Sequence, residues 1–329
     1  MLRVAETTDL RRCEELWRAV MPEELVTDLW EVRACFERHF DRPARFITVE
    51  DGATLVGLLP LSWIEEAGRF GIFPGETWKG RTWLEQNRIF ARDQEALSAL
   101  LAACPENVEL RYLLPLPAAA GAAVDEVGYL FSPGRYGYDL EGWFAQFSHK
   151  NAKRLRREIA AVEAQGLRYR FDDPADLQAL VALNLGRFAG SSYFDDPRFL
   201  AGFRDLVDLL AARGWLRMTT ILAGAEPVAV DLGCCYRGTC TMLAGGTRAG
   251  YPGIAKVINL HHLRRACAER YERVDFLCGE FSWKPLFHLE PRPLYLYGER
   301  ASGYPPGETI EAAPPAREAT HESHPYGAI

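Results

Sequence analysis

The pattern of hydrophobic and polar positions is clearest in the second half of the chain. Residues 167–171 alternate as a strand does, and two segments with apolar residues at helical spacing follow at 173–189 and 197–214. The first helix opens on an Asp-Pro pair, and the second has proline in its first turn and glycine at its end. This half therefore begins as a strand followed by two helices.

Three alternating segments come next and predict an antiparallel meander. They occupy 216–222, 227–236 and 239–245, with short loops between them. A helix follows within 250–271, and its apolar residues cover so much of its surface that we expect it to be well buried. A further strand is predicted at 273–279.

The first half repeats this element order more faintly. Two helices follow a short strand, and a hairpin with Asp-Gly at its turn joins strands within 45–52 and 53–66. A helix around 92–104 then precedes a strand at 108–116. The repeated order predicts an α/β fold of two tandem units, each with a mixed, mainly antiparallel sheet flanked by helices.

The domain boundaries follow from this repeat. We expect a first unit at 1–141 and a second at 142–298, joined through a basic helix from Gly142 to about Gln165. Residues 299–329 are rich in Pro, Ala and Glu and carry few large apolar groups, so they cannot bury enough surface to offset chain entropy. We predict that they form a disordered tail.

Composition and charge narrow the class of protein. With 48% hydrophobic and 25% charged residues, the chain is typical of a soluble globular protein. No apolar run is long enough to span a bilayer and no signal-peptide core is present, so a cytoplasmic location is expected. The formal charge of −7 disfavours broad binding to nucleic acid, and we expect no DNA partner.

The cysteines and histidines do not predict a metal site. The eight cysteines form no Cys-x-x-Cys pair and most lie in apolar runs, which favours buried thiols over zinc ligands or disulfides. His261 and His262 are adjacent on a predicted helix and point in different directions, which argues against chelation. We expect no structural metal.

Lys284 stands out because it lies between Trp283 and Pro285, close to two phenylalanines. It is either a surface lysine whose stem covers the aromatic rings or a cation held for chemistry.

Four segments of the second half are informative together: KNAKRLRREIAAVEAQG, GWLRMTTILAGAEPVAVDLG, YPGIAKVINLHHLRRA and above all VDFLCGEFSWKPLF. They resemble the GNAT acyltransferase superfamily, specifically its FemAB-like and CelD-like branch. The match covers roughly 142–290, and the first half is similar only in layout, as a degenerate GNAT-like unit.

The resemblance implies an N-acyltransferase that moves an acyl group from acyl-coenzyme A to a primary amine of a small molecule or cell-envelope precursor. In the GNAT fold the central strands separate, and the thioester lies in the gap with its pyrophosphate on the amides of a helix start. Gly253 and the N-terminus of the helix that begins at Ile254 suit such an anion. The donor-binding candidates are Gly253, Ile254, Ala255 and Lys256. Gly250 stands where the family's phosphate signature has Gln or Arg, so an ordinary helix start stays open as the alternative.

The resemblance also implies a catalytic centre. A lysine at this place in the family interacts with the charge that develops during acyl transfer, which assigns Lys284 to the oxyanion. Asp231 and Asp275 are candidates for taking the proton from an attacking ammonium, although either acid could instead cap a turn or pair with an arginine. Trp283 is a candidate for binding the substrate.

The basic helix has two interpretations. Lys150, Arg154 and Arg157 share one face, and basic residues of the FemAB-like branch hold a phosphorylated acceptor or donor. The alternative is a solvated face with Glu158 and Glu163 as partners. Residues 75–90 are another aromatic and basic segment, which would line the groove opposite the second unit.

Two other functions remain open from the sequence. The FemAB-like branch is known for taking its acyl group from aminoacyl-tRNA, so aminoacyl transfer onto a peptide or metabolite is the rival within the same fold. A catalytically idle tandem module that binds a partner through its basic groove is the rival from another class.

Overall fold

The computed structural model describes residues 1–116, 123–188, 190–279 and 283–298. The tail predicted at 299–329 lies outside the described residues, as do residues 117–122 and 280–282. Ala189, where the first predicted helix of the second half ends, also lies outside them.

The first half forms an antiparallel sheet with the strand order β1-β2-β3-β4, and β7 pairs with the other part of β3. Its strands are β1 (Leu2–Thr7), β2 (Ala44–Asp51), β3 (Thr54–Ile64), β4 (Arg69–Ile72) and β7 (Phe90–Ala91), and a two-stranded ribbon comprises β5 (Thr77–Trp78) and β6 (Arg81–Thr82). The helices of this half are α1 (Leu10–Val20), α2 (Trp30–Phe40) and α3 (Gln94–Ala102).

Local chemistry explains how these helices begin and what they bury. Asp9 caps α1 by accepting a hydrogen bond from the Arg12 N–H at 2.8 Å, and Asp93 caps α3 in the same way. Trp17 of α1 is 3% exposed and packs among aromatic rings of the sheet and of α2. The first half therefore has an apolar core of its own.

Eight of the described strands form a second, larger sheet in the order β10-β11-β12-β13-β14-β9-β15-β8. These strands are β8 (Glu109–Leu113), β9 (Ala123–Phe131), β10 (Arg168–Phe171), β11 (Leu216–Ala223), β12 (Glu226–Tyr236), β13 (Thr239–Thr247), β14 (Arg273–Asp275) and β15 (Glu290–Gly298). Strands β13 and β14 run parallel, whereas the other neighbouring pairs of this sheet are antiparallel.

Helices cover both faces of the second sheet. They are α4 (Leu140–Phe144), α5 (His149–Glu163), α6 (Leu177–Phe188), α7 (Pro197–Ala212), α8 (Ile254–Ala268) and the short α9 (Trp283–Leu286). On β12, Val230 packs with the core beneath α6 and α7, and the adjacent Ala229 packs with the core beneath α5 and α8. This alternation along one strand places the sheet between two helical layers.

The two halves share part of their core. Phe36 of α2 lies 5.4 Å from Phe199 of α7, measured between ring centroids. Gly202 allows this close approach, because a Cβ at that position would lie 2.9 Å from the carbonyl oxygen of Cys35. The first half therefore packs against the second through α2 and α7.

The α/β fold of tandem units, with mainly antiparallel sheets flanked by helices, is confirmed. The hairpin of β2 and β3 and the meander of β11 to β13 also form where the sequence predicts them. Strands β8 and β9 precede residue 142 but pair in the second sheet, around β15. The boundary between 141 and 142 stays a prediction.

Two predicted elements differ from the structure. The basic helix predicted from Gly142 to about Gln165 is two helices, because Ser148 caps a new helix start by accepting from the Asn151 N–H. The strand predicted at 273–279 ends at Asp275. Its carboxylate accepts from the Leu277 N–H at 2.9 Å, and the positive φ of Leu277 turns the chain out of the sheet.

Candidate functional site

A cleft opens where β13 and β14 separate. The two strands pair over three residues each, from Thr239 opposite Arg273 to Thr241 opposite Asp275, and β13 then continues to Thr247 without β14, still paired with β12. The cleft is roughly 450 Å³ in volume, and both halves of the chain line it. Its lining includes Glu85, Tyr112, Asp231, Ala255, Trp283 and Lys284.

Lys284 is held inside the wall of this cleft. Its side chain is almost completely buried, with the residue 1% exposed, so it is not a surface lysine. Its Nζ donates to the carbonyl oxygens of Phe276, Leu277 and Cys278 at 3.0, 2.9 and 2.7 Å, respectively. Burial lowers its pKa to about 8, although nearby acids oppose the shift. Lys284 therefore fixes the loop that follows β14, and direct contact with an oxyanion stays a prediction.

Trp283 lies beside this lysine in the wall. Its indole packs edge-on against Phe276 and Phe287, with ring centroids 5.4 Å apart in both cases. Phe287 in turn contacts Trp143 of α4, whose indole N–H donates to the Phe287 carbonyl at 3.0 Å. The aromatic setting that drew attention to Lys284 thus forms one rigid side of the cleft.

Glu85 lines the cleft, although from the sequence only its segment, 75–90, is predicted to line a groove. Its Oε2 accepts a hydrogen bond from the Cys278 N–H at 2.7 Å. Burial raises the pKa of Glu85 to about 7, against the opposing effects of the Cys278 hydrogen bonds and the Lys284 charge. The available signal was an isolated acid that directly follows Trp83 and Leu84, both of them apolar.

Asp231 lines the cleft and pairs with a histidine. Its Oδ2 lies 2.9 Å from His262 Nε2, and the two side chains are 14% and 7% exposed. Gly245 stands opposite Asp231 on β13 and leaves space for this carboxylate, since a Cβ there would collide with Oδ1. From the sequence, His262 is assessed only as a metal ligand, and its pairing with Asp231 is not predicted.

Asp275 is completely buried beneath the cleft and does not line it. Its Oδ2 lies 2.8 Å from Arg292 Nη1 and accepts from Gln86 Nε2 at 2.6 Å. Its other oxygen accepts from the Leu277 N–H. Asp275 thus both pairs with an arginine and caps a turn, which are the two structural roles predicted as alternatives to a catalytic one.

The proposed anion site lies at the start of α8. Gly253 has φ = 87°, in the left-handed region, and Ala255 reaches the cleft. The N–H groups of Ile254 and Lys256 donate within the turn, to the carbonyls of Tyr251 and Gly253. Lys256 Nζ binds Glu158 of α5 at 2.6 Å, so its side chain is engaged with another helix.

The basic face of α5 is exposed and does not line the cleft. Lys150, Arg154 and Arg157 are all solvent-exposed, and Arg154 lies 3.9 Å from Glu158. Glu163, the other predicted partner, pairs with Arg264 of α8. The acids of α5 thus form ion pairs, and substrate binding by the three cations stays a prediction.

No helix in the described ranges is long and apolar enough to cross a membrane. Within the same ranges, no group of three or more histidine, cysteine or acidic side chains could hold a metal ion.

The geometry agrees with the sequence family. Residues 149–285 match the family described as the acetyltransferase (GNAT) domain. Residues 149–285 therefore form a GNAT acyltransferase domain, which contains β13, β14, α8 and Lys284. No curated protein matches the chain in sequence.

Solved structures share the fold of nearly the whole chain. FemX superposes with a TM-score of 0.53 at 10% identity, covering 90% of this chain and 97% of its own. L-PGS from Bacillus licheniformis gives 0.53 at 13% identity, with 90% and 94% covered. A tandem GNAT protein from the clavulanic acid biosynthesis pathway gives 0.52 at 13% identity, with 90% and 98% covered. The predicted resemblance to the GNAT superfamily is confirmed, and the fold shared with FemX supports its FemAB-like branch, whereas the CelD-like assignment stays a prediction.

Proposed function

We propose that the protein transfers an acyl group from acyl-coenzyme A to a primary amine of a small molecule or cell-envelope precursor, in the cleft between β13 and β14. The separation of these two parallel strands is the observation that carries the proposal. Beyond Thr241 the edge of β13 faces the cleft instead of β14. Such an edge offers backbone N–H and C=O groups to the amides of an extended thioester.

The start of α8 supports an anionic donor. Ala255 lies in its first turn and lines the cleft, so the positive end of the helix dipole borders the cleft. The pyrophosphate of coenzyme A is an anion that such a helix start binds. Gly253 lets the backbone approach the phosphates closely, because it has no Cβ and adopts a positive φ.

Lys284 contributes electrostatically to the reaction. Attack of an amine on the thioester carbonyl builds negative charge on oxygen, and a fixed cation in a water-poor wall stabilises that charge strongly. The lysine is held by the carbonyls of residues 276–278, which keep it from reorienting during the reaction. Asp231, oriented by His262, is a second group in the cleft for handling protons.

Calorimetry tests the donor directly. Acetyl-coenzyme A, free coenzyme A and a mixture of charged tRNAs are titrated into the protein at low and then physiological salt, and amines are then screened for thiol release. We expect micromolar binding of the thioester and turnover with at least one amine. Binding of tRNA without the thioester would favour aminoacyl transfer, and binding of neither would favour the idle module.

Gly253→Ala tests the anion site at the start of α8. An alanine at φ = 87° costs about 1–2 kcal/mol and moves the first turn, so we expect roughly tenfold weaker binding of acetyl-coenzyme A by calorimetry. Gly250→Ala is the matched control in the same loop, because a Cβ there has no neighbour within 4 Å and no positive φ is required. Equal affinities in the two variants would remove Gly253 from the donor site.

Arg154→Glu combined with Arg157→Glu tests the basic face of α5. Because both side chains lie outside the cleft, we expect the affinity for acetyl-coenzyme A to stay within about twofold of wild type. If the face binds a phosphorylated acceptor, the affinity of the double variant for that acceptor should be at least tenfold lower than that of wild type. This affinity should also depend less on salt concentration than it does in wild type. If no phosphorylated ligand discriminates the variant from wild type, the face is only solvated.

A further inference from the structure

The first half of the chain reaches into the cleft through one rigid segment. Residues on both sides of Glu85 are buried and pinned: the Leu84 N–H donates to Glu76 at 2.8 Å, and Gln86 Nε2 donates to Asp275 at 2.6 Å. Asn87 accepts from Arg33 at 2.8 Å, which ties the same segment to α2. The position of Glu85 is therefore set by contacts to the first half and to β14 at once.

The Glu85 carboxylate is directed at the reactive part of the cleft. It contacts the Cys278 N–H of the loop that Lys284 fixes, and it lines the same cavity as Asp231 and Trp283. The cavity thus brings an acid from the first half to the loop that leaves the end of β14, beside the gap where β13 and β14 separate.

We propose that Glu85 is the general base of acyl transfer, supplied by the first half to a donor site built by the second. The proposal rests on the proposed function. The acceptor ammonium gives one proton to the Glu85 carboxylate, and the free amine attacks the thioester carbon. A C–N bond forms, the C–S bond breaks, and the second proton on nitrogen passes to the departing thiolate. Glu85 returns its proton to solvent, so the reaction releases one proton overall.

The surroundings of Glu85 suit this role. The groups that face it are Lys284, Cys278, Asp275 and Tyr112, with Glu126 beyond Cys278. Burial is the main cause that raises its pKa to about 7, and the Asp275 charge adds to it. A base works best when its pKa lies near the operating pH, because it is then ionised in part and still basic enough to accept a proton.

The pH dependence follows from this pKa. Glu85 must be ionised to accept a proton, so kcat/KM in wild type should rise with pH through about 7. In a variant without the Glu85 carboxylate, this rising limb of the pH profile near pH 7 disappears. The pH dependence of kcat/KM that remains is that of the free acceptor amine, near the higher pKa of the amine.

Glu85→Gln is the central test, because glutamine keeps an oxygen that can accept from Cys278 but cannot take a proton. We expect kcat to fall at least 100-fold and the limb near pH 7 to vanish. The affinity for acetyl-coenzyme A should stay within twofold of wild type. Glu106→Gln, an exposed acid in the same half, is the matched control and should behave as wild type. Asp231→Asn, measured in parallel, shows whether the acid paired with His262 controls the same limb.

The outcomes separate this proposal from the proposed function. A wild-type protein that binds no thioester and transfers no acyl group overturns both. A wild-type protein that transfers acyl groups, with a Glu85→Gln variant of similar kcat and an unchanged pH profile, overturns only the role of Glu85. If Glu85→Gln does not fold, Glu85→Asp is measured, and loss of folded protein in both variants would make Glu85 structural.

Discussion

Arg292→Met is expected to lower the free energy of unfolding by about 3–5 kcal/mol, as is usual when one partner of a buried ion pair is removed. Arg292 is the cationic partner of Asp275, at 2.8 Å, and the acid has no solvent exposure at all. The substitution leaves a buried carboxylate that, among the described residues, still accepts hydrogen bonds from Gln86 and the Leu277 N–H. Urea unfolding, followed by fluorescence and circular dichroism, measures the loss.

Arg135→Met is the matched control for this experiment. Arg135 pairs with Glu290 of β15 at the same distance of 2.8 Å, but its side chain is 62% exposed, and such surface pairs contribute at most about 1 kcal/mol. A loss in Arg292→Met no larger than that of the control would mean that the buried pair does not hold β14 to β15.

The Arg292–Asp275 ion pair also bears on the catalytic role predicted for Asp275. Because Asp275 lies beneath the cleft, we expect turnover per folded molecule of Asp275→Asn to match wild type at a temperature where the variant is folded. A folded Asp275→Asn variant that has lost turnover would contradict this expectation, and the Glu85→Gln profile would then show whether Asp275 acts on a proton or through the Gln86 contact that positions Glu85.

Local sequence patterns predicted many of the strands and helices of the second half, for reasons that can be identified. The meander of β11 to β13 and helix α8 carry regular periods and turn residues within short stretches of chain, so the sequence specifies them locally. The pairing of β8 and β9 with β15 depends on partners more than 150 residues apart, which leave no local signature. The split of the basic helix depends on Ser148 and on the packing of Phe147 against Trp143.

The candidate site was predictable where one segment carries it. Trp283 and Lys284 are adjacent in sequence, and both line the cleft. Glu85 and His262 were missed because their roles arise from partners on distant elements, Cys278 for the first and Asp231 for the second. Two adjacent histidines on a helix face different neighbours, and only the fold shows that His262 meets an acid on β12.

Lys284→Met is expected to damage both the fold and the reaction. Methionine fills the space of the lysine stem but removes a donor from the carbonyls of Phe276, Leu277 and Cys278, of which Leu277 keeps the Tyr129 N–H. An unsatisfied buried polar group costs about 1–3 kcal/mol, so we expect unfolding to become easier by about 3 kcal/mol or more. Loss of the cation should also lower kcat at least 100-fold. Lys153→Met, on the exposed face of α5, is the control and should change neither quantity appreciably.

The balance between these two losses identifies what Lys284 does. If the lysine acts mainly by fixing the loop, the variant loses stability, and the affinity for acetyl-coenzyme A falls together with kcat because the wall of the cleft moves. If it acts mainly on the oxyanion, kcat falls while stability and donor affinity stay near wild type, since only the transition state carries the new charge. The three hydrogen bonds to backbone carbonyls favour the first outcome, and full activity in a stable Lys284→Met protein would exclude both.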